Sequence, residues 1–197
     1  ATAKTYSFAG GENGIVLADV TGWDMTIKDV IGSPASTDGS TKLLSNGATL
    51  YYKGSKAATL RFRSAHDANA NLTSEIVAAA TAINYNGGLA GTNLSNGVTV
   101  SDLDRYISIP VDGAGTVTAS VKFISSSSGK TGTLQAALCD KDGKLLGSLA
   151  EADVTVGGEK TITGKTTADT TVYLAFSRQD AGGGGLDVTK IEVAPAN

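Results

Sequence analysis

The chain has 197 residues, enough to bury a substantial core without covalent staples, and its single Cys139 excludes an intrachain disulfide and a cysteine-based zinc site. Net charge is −3 with Lys and Arg scattered along the chain, which excludes the concentrated basic footprint of nucleic-acid binding. No stretch is apolar over the length that spans a bilayer and no secretory leader opens the chain, so a mature secreted form or an excised module is expected.

Short period-2 runs begin at Thr5–Phe8 and Met25–Val30 and continue at Ala48–Lys53 and Ala58–Ser64. Further runs lie at Tyr106–Val111, Thr116–Ser125, Thr133–Asp140, Lys144–Leu149, Lys160–Thr163, Thr171–Ser177 and Asp187–Val193. Turn signals punctuate them: Asn13-Gly14, Asp38-Gly39, Asn46-Gly47, Asn86-Gly87, Asn96-Gly97, Asp112-Gly113 and Asp142-Gly143, all suited to the positive φ angles of tight turns. The rhythm breaks at 65–82, "AHDANANLTSEIVAAATA", a long excursion in which Asn71, Thr73 or Ser74 would cap a short helix. It breaks again at 178–186, "RQDAGGGGL", which reads as a flexible loop. Many short strands with turn punctuation and no internal repeat predict one all-β domain over residues 1–197, a sandwich or barrel.

Catalytic signals are sparse. His66 is the only histidine and no G-x-S-x-G elbow accompanies it, so a solvated loop residue is the better reading than a general base. Glu151 and Glu159 lie beside turns, and Asp112, Asp140 and Asp142 sit at predicted hairpin ends, where solvated turn residues explain them. "DKDG" at 140–143 starts like a calcium loop but lacks the distal bidentate Glu, so a hairpin accounts for it. No cofactor is called for, although a structural calcium ion assembled from distant loops is compatible with a sandwich. Asn71 and Asn93 begin N-glycosylation patterns of the kind that arise by chance.

Parity assigns the faces. Val117, Ala119, Val121 and Phe123 point one way while Thr116, Thr118, Ser120 and Lys122 point the other. Leu60 and Phe62 face the core and leave Arg61 and Arg63 outside; Tyr51 lies opposite Leu50 and Tyr52; Tyr173 lies opposite Val172, Leu174 and Phe176. A ligand site is expected where Arg61, Arg63 and Tyr51 share one outward direction, beside Tyr173 and the loop residues Arg178, Gln179 and Asp180. The bland alternative is a solvated sheet face beside a flexible loop.

With the strands laid out, "RYISIPVDGAGTVTASVKFISSSSGKTGTLQAALCDKDGKLLGS" at 105–148 resembles the jelly-roll accessory domains of secreted pectate lyases and other bacterial polysaccharide-degrading enzymes. The shared features are the Arg-led strand "RYISIPV", the Ser-rich run in "KFISSSSGK", the hairpin "LCDKDGK" and the closing "TTVYLAFS…GGGLDVTKIEV". "KTYSFAG" and "INYNGGL" fit the earlier strands more loosely. The resemblance implies an antiparallel β-sandwich of jelly-roll type, secreted and non-catalytic, that binds a polysaccharide or oligosaccharide. With one Trp and several Tyr and Arg, the sugar is expected to be soluble or acidic, pectin-like, rather than crystalline. The alternative function is a subunit of an extracellular surface layer, filament or adhesive fibre, its partner then being its own kind; a parent enzyme chain is the other expected partner. A lyase or glycosidase on the same fold needs a catalytic pair that the sequence does not show. Arg105 is expected to be structural, paired with Asp102 or an Asp of a facing loop.

Overall fold

The computed structural model describes residues 1–54, 59–126 and 129–197. Ala58, the expected start of one strand, and Ser127 and Ser128 of the Ser-rich run lie outside the described residues. Strands are numbered along the chain. The first sheet holds β1 (Lys4–Ser7), β2 (Val30–Gly32), β5 (Leu60–Arg63), β6 (Ala82–Tyr85), β9 (Ala114–Ile124), β12 (Gly158–Thr167) and β14 (Gly185–Pro195). The second holds β3 (Ser36–Leu43), β4 (Thr49–Gly54), β7 (Leu89–Ala90), β8 (Arg105–Val111), β10 (Thr133–Cys139), β11 (Ala150–Asp153) and β13 (Thr170–Gln179).

Their orders are β12-β9-β14-β6-β5-β2, with β1 beside β14, and β11-β10-β13-β8-β4-β3, with β7 on β13. Among the described residues every pairing between these strands is antiparallel except β7 with β13. From β8 onward the chain alternates between sheets, with the β10–β11 pair as the exception. The fold is therefore the expected antiparallel sandwich, jelly-roll-like in its crossings. The Asp112-Gly113 turn, which reads as a hairpin in sequence, is instead an arch carrying the chain from one sheet to the other.

Period-2 burial makes the core. Leu50, Leu60, Phe62, Ile107, Val117, Phe123, Leu174 and Phe176 belong to one apolar cluster drawn from both sheets. Each such side chain contributes roughly 1.5–3 kcal/mol relative to an exposed one. Trp23 belongs there too, edge-on to Tyr52 at 6.1 Å and tilted against Phe62 at 5.8 Å. Tyr85 ties the sheets together: its buried hydroxyl accepts from Ile107 N–H at 2.8 Å and donates to the Leu174 carbonyl at 2.9 Å. Those two residues form the last register pair of β8 with β13, so the phenol serves backbone groups at the point where the ladder ends.

Four expectations about elements need correction. Met25–Val30 is not a strand, because Asp24 draws Thr26 N–H and hydroxyl into a local turn and Asp29 adopts φ 70°, which breaks the alternation before Val30. Asp38-Gly39 is no hairpin turn; it sits inside β3 at a register shift between Ser36 and Ser40. Lys144–Leu149 is not a full strand, since Leu146 donates to Leu138 in one sheet while its carbonyl accepts from Lys165 in the other, straddling the sandwich edge. Arg178 and Gln179 belong to β13 rather than to a loop. In the 65–82 excursion a short helix, Ser74–Ala78, does form, and Thr73 caps it by accepting from Ile76 N–H.

Candidate ligand-binding faces

Strand register aligns five polar side chains across the outward face of the first sheet. Glu159 pairs with Lys122, Lys122 with Asp187, Asp187 with Asn84, and Asn84 with Arg61. Arg63 joins diagonally. Its Nε donates to Asp187 Oδ2 at 2.6 Å, Asn84 Nδ2 donates to Asp187 Oδ1 at 2.7 Å, and Arg61 Nε donates to Asn84 Oδ1 at 3.0 Å. Asn84 and Asp187 are thereby buried. Burial, and then the neighbouring Arg63, lower the affinity of Arg61 for its proton, while Asp187 opposes the shift. Beside this row runs a groove of about 720 Å³ lined by Ser120, Lys122, Glu159, Thr161, Asp187 and Lys190 among others.

The second sheet presents a different outward face. Residues 89–104 lie over part of it: Leu94 and Leu103 pack on Ala137 and Ala175, the small outward residues of β10 and β13. Gln135, buried at an outward position, accepts from Leu94 N–H at 2.9 Å and donates to Glu151 at 2.8 Å and Asn93 at 3.2 Å. Ser177 donates to the Leu89 and Thr92 carbonyls. Beyond this cover, Tyr51 stacks on Tyr106 at 5.0 Å and 17°, and Tyr173 meets Tyr106 edge-on at 5.0 Å and 78°. Burial first, then Tyr173 and Tyr51, raise the pKa of the Tyr106 phenol. A side chain at Gly39 would collide with the Tyr51 ring, so the φ 88° glycine lets β3 close over the end of the row.

The expected outward parities of Arg61, Arg63, Tyr51 and Tyr173 hold, yet these residues do not share one face. Arg61 and Arg63 lie on the first sheet, Tyr51 and Tyr173 on the second. Parity fixes a direction only relative to a residue's own sheet, and the two outward faces look away from each other. Gln179 shares the parity of Tyr173, whereas Arg178 has the inward parity of Val172, Leu174 and Phe176, and Asp180 is exposed just past β13 with φ 54°. Tyr106, the centre of the aromatic row, and Asn84 with Asp187 were missed. The visible signal was register: Tyr106 sits opposite Tyr51 in the β4–β8 pairing, which periodicity alone does not reveal.

The remaining candidates are structural. His66 Nε2 lies 2.7 Å from the Val30 carbonyl and Nδ1 2.6 Å from that of Asp67, so the ring sits between two backbone acceptors and its N–H helps to hold the excursion. Asp140 Oδ1 accepts from Asp142 and Lys144 N–H, closing the 140–143 turn, and Asn93 Oδ1 accepts from Ser95 N–H at 3.1 Å and from Ser95 Oγ. Cys139 is buried and its thiol is pushed up to about 12 by burial and then Asp140, which leaves it unreactive. Among the described residues no three His, Cys, Asp or Glu side chains gather as a metal ion would need, and no helix is long and apolar enough to cross a membrane. Arg105 pairs at 3.0 Å with its neighbour Asp104, not with Asp102.

No family model matches the chain, and no curated protein matches it. Among solved structures it is similar to the K1 cleaved adhesin domain of Lys-gingipain from Porphyromonas gingivalis W83, at TM-score 0.46 and 12% identity over 100% of both chains. It is similar to a family 35 carbohydrate binding module from Clostridium thermocellum at TM-score 0.34 and 13% identity, over 80% of this chain and 98% of that one. For a CBM36 module in complex with calcium and xylotriose the values are 0.32 and 18%, over 46% and 73%. Likeness at these scores carries no argument about ligand or activity.

Proposed function

We propose that this is a secreted, non-catalytic polysaccharide-binding protein whose ligand lies along the outward face of the first sheet. The observation that carries the reading is the groove of about 720 Å³ running beside the Arg61–Asn84–Asp187–Lys122–Glu159 row. Ammonium, carboxylate and hydroxyl groups there offer donors and acceptors at the spacing of adjacent strands, which suits the paired hydroxyls of a sugar chain. Arg61 and Arg63, beside Asn84 and Asp187 in the row, favour an acidic sugar, because a guanidinium matches a carboxylate with two parallel hydrogen bonds. Binding is preferred to hydrolysis because Asp187 has both oxygens engaged, by Arg63 and Asn84, and is not free to serve with Glu159 as an acid–base pair. Tyr51, Tyr173 and Gln179 stay in the proposal as a separate patch on the opposite face, where the rings pack on one another and phenol hydroxyls remain for ligand.

The fibre-subunit reading finds less support. The edge strand β12 carries Lys160 and Lys165 and the edge strand β3 is irregular at Ser36–Ser40, both of which discourage strand addition by a neighbour.

A glycan array read at low and high salt identifies the sugar, and isothermal titration of Arg61→Ala, Arg63→Ala, Lys190→Ala and Tyr51→Ala against the best hit then locates the site. Loss of roughly 1–3 kcal/mol is expected for the three cations, falling as salt rises. Wild-type affinity in all three, with loss in Tyr51→Ala, moves the site to the second sheet. Product release from a polysaccharide panel would replace binding by catalysis.

A further inference from the structure

Two arginines meet at one end of the sandwich, away from both outward faces. Arg105 opens β8 with the inward parity of Ile107 and Ile109, and Arg178 stands near the end of β13 with the inward parity of Leu174 and Phe176. Where the strands outrun the apolar core, these positions are filled by guanidinium groups. Both heads reach the Asn86-Gly87 turn that follows β6: a Cβ at Gly87 would lie 3.0 Å from Arg105 Nη1 and 3.3 Å from Arg178 Nη2. Gly87 has φ 97°, so the turn needs a glycine there for its backbone as well as for this space.

The hydrogen bonding of the two is unequal. Arg105 donates from Nη1 to the Asn86 carbonyl at 2.5 Å and from Nη2 to Asp104 Oδ2 at 3.0 Å. The Arg178 guanidinium makes no hydrogen bond and no ion pair among the described residues. The Nε of each arginine is shielded from water and unpartnered. Two cations therefore flank one point, and the one carboxylate paired with either among the described residues, Asp104, bonds Arg105. Shielded donors without acceptors and like charges at close range each cost free energy, and an added anion relieves the charge repulsion.

We propose that Arg105 and Arg178 form a seat for a carboxylate, that of a uronic-acid unit if the chain binds acidic polysaccharide as proposed above. The Arg178 guanidinium supplies the free fork, whose parallel donors match two carboxylate oxygens, while Arg105 is held in place by Asp104 and Asn86 and contributes charge. The site lies at the end of the sandwich and would take a chain terminus or a single sugar, in contrast to the groove, which suits a chain laid along the sheet.

The test follows the arginine Nε–H signals of the whole chain by NMR during titration with galacturonate, with galactose and with sulfate. Galacturonate is expected to shift the Arg105 and Arg178 signals while galactose leaves them in place. Arg178→Gln should weaken galacturonate binding at least tenfold with an unchanged melting temperature, and Arg105→Lys, which keeps the charge but not the fork, should weaken it less. Lys190→Ala, a groove variant, should leave this titration unchanged, so a failed groove and a failed seat give separate results. Unmoved Nε–H signals, wild-type affinity in Arg178→Gln, or an equal response to sulfate would overturn the carboxylate seat.

Discussion

On the first sheet, Arg61, Asn84, Asp187, Lys122 and Glu159 stand side by side in register, and the last three border an open groove. On the second, Ala137 and Ala175 stand in outward positions and are roofed by residues 89–104 through Leu94 and Leu103. The strands are built on the same alternation, so the difference comes from what the outward positions carry. Arg61, Arg63, Asn84 and Asp187 satisfy one another across the ladder, and no segment of the chain is needed to cover them. Small residues leave an apolar floor, and Gln135 and Ser177 supply the polar anchors that hold a roof on it. A face that solves its own hydrogen bonding stays open for a ligand; a face that needs cover recruits the chain.

The largest expected effect strips that cover. Leu94→Ala should cost about 2–5 kcal/mol, the usual range for emptying a fully buried leucine site, measured by urea unfolding. Polysaccharide affinity should stay unchanged; a parallel loss of binding would mean that the roofed face, not the groove, carries the ligand. Tyr85→Phe comes next, because it leaves the buried Ile107 N–H and Leu174 carbonyl without the phenol that serves them, at about 1–3 kcal/mol. A neutral result would show that the two strands close up and bond directly.

Asp187→Ala attacks the open face instead. It removes the acceptor of both Arg63 and Asn84, but the Arg63 side chain is 34% exposed and water screens much of its charge, so about 1–2 kcal/mol is expected. A loss as large as that of Leu94→Ala would mean that the polar row acts as core.

The faces should also part in alkali. The Tyr106 phenol is raised in the folded state, so its contribution is present below the unfolded value near 10.0 and is lost as pH rises through the higher folded value. Ultraviolet titration should find Tyr106 among the late-ionising tyrosines, with Tyr6 and Tyr85, and Tyr173→Ala should bring its ionisation to lower pH while leaving that of Tyr85 in place. The smallest effect concerns the chain's first residues, where Asp112 accepts from Thr2 N–H at 2.8 Å and from its hydroxyl at 2.6 Å. These bonds hold its pKa below the usual carboxylate value of 3.8, so the clamp is present above that pH and is lost as pH falls through the folded value. Asp112→Asn should lower the melting temperature slightly at pH 7, and the difference should shrink as pH falls below 3.8 through the folded value.

Much of this was readable in the residues. Alternation in Leu60–Arg63 and Thr171–Ser177 announced which side chains enter the core, because the side-chain period of a strand is two whatever it pairs with. The short helix and a cap at Asn71, Thr73 or Ser74 were readable as well, and the structure selects Thr73, a local bond between residues three apart. Local chemistry misled where a neighbour in sequence outweighed the alternation, as when Asp24 bonded Thr26 and Asp29 took a positive φ. What only the tertiary structure decided was company. Which sheet each strand joins set Arg61 and Arg63 apart from Tyr51 and Tyr173, register brought Asp187 to Arg63 across 124 residues, and Arg105 and Arg178 met at Gly87 from two strands and a turn. Parity is a property of one strand, whereas pairing is a property of two, set by long-range burial of the whole core, and every candidate site in this molecule is made of pairs.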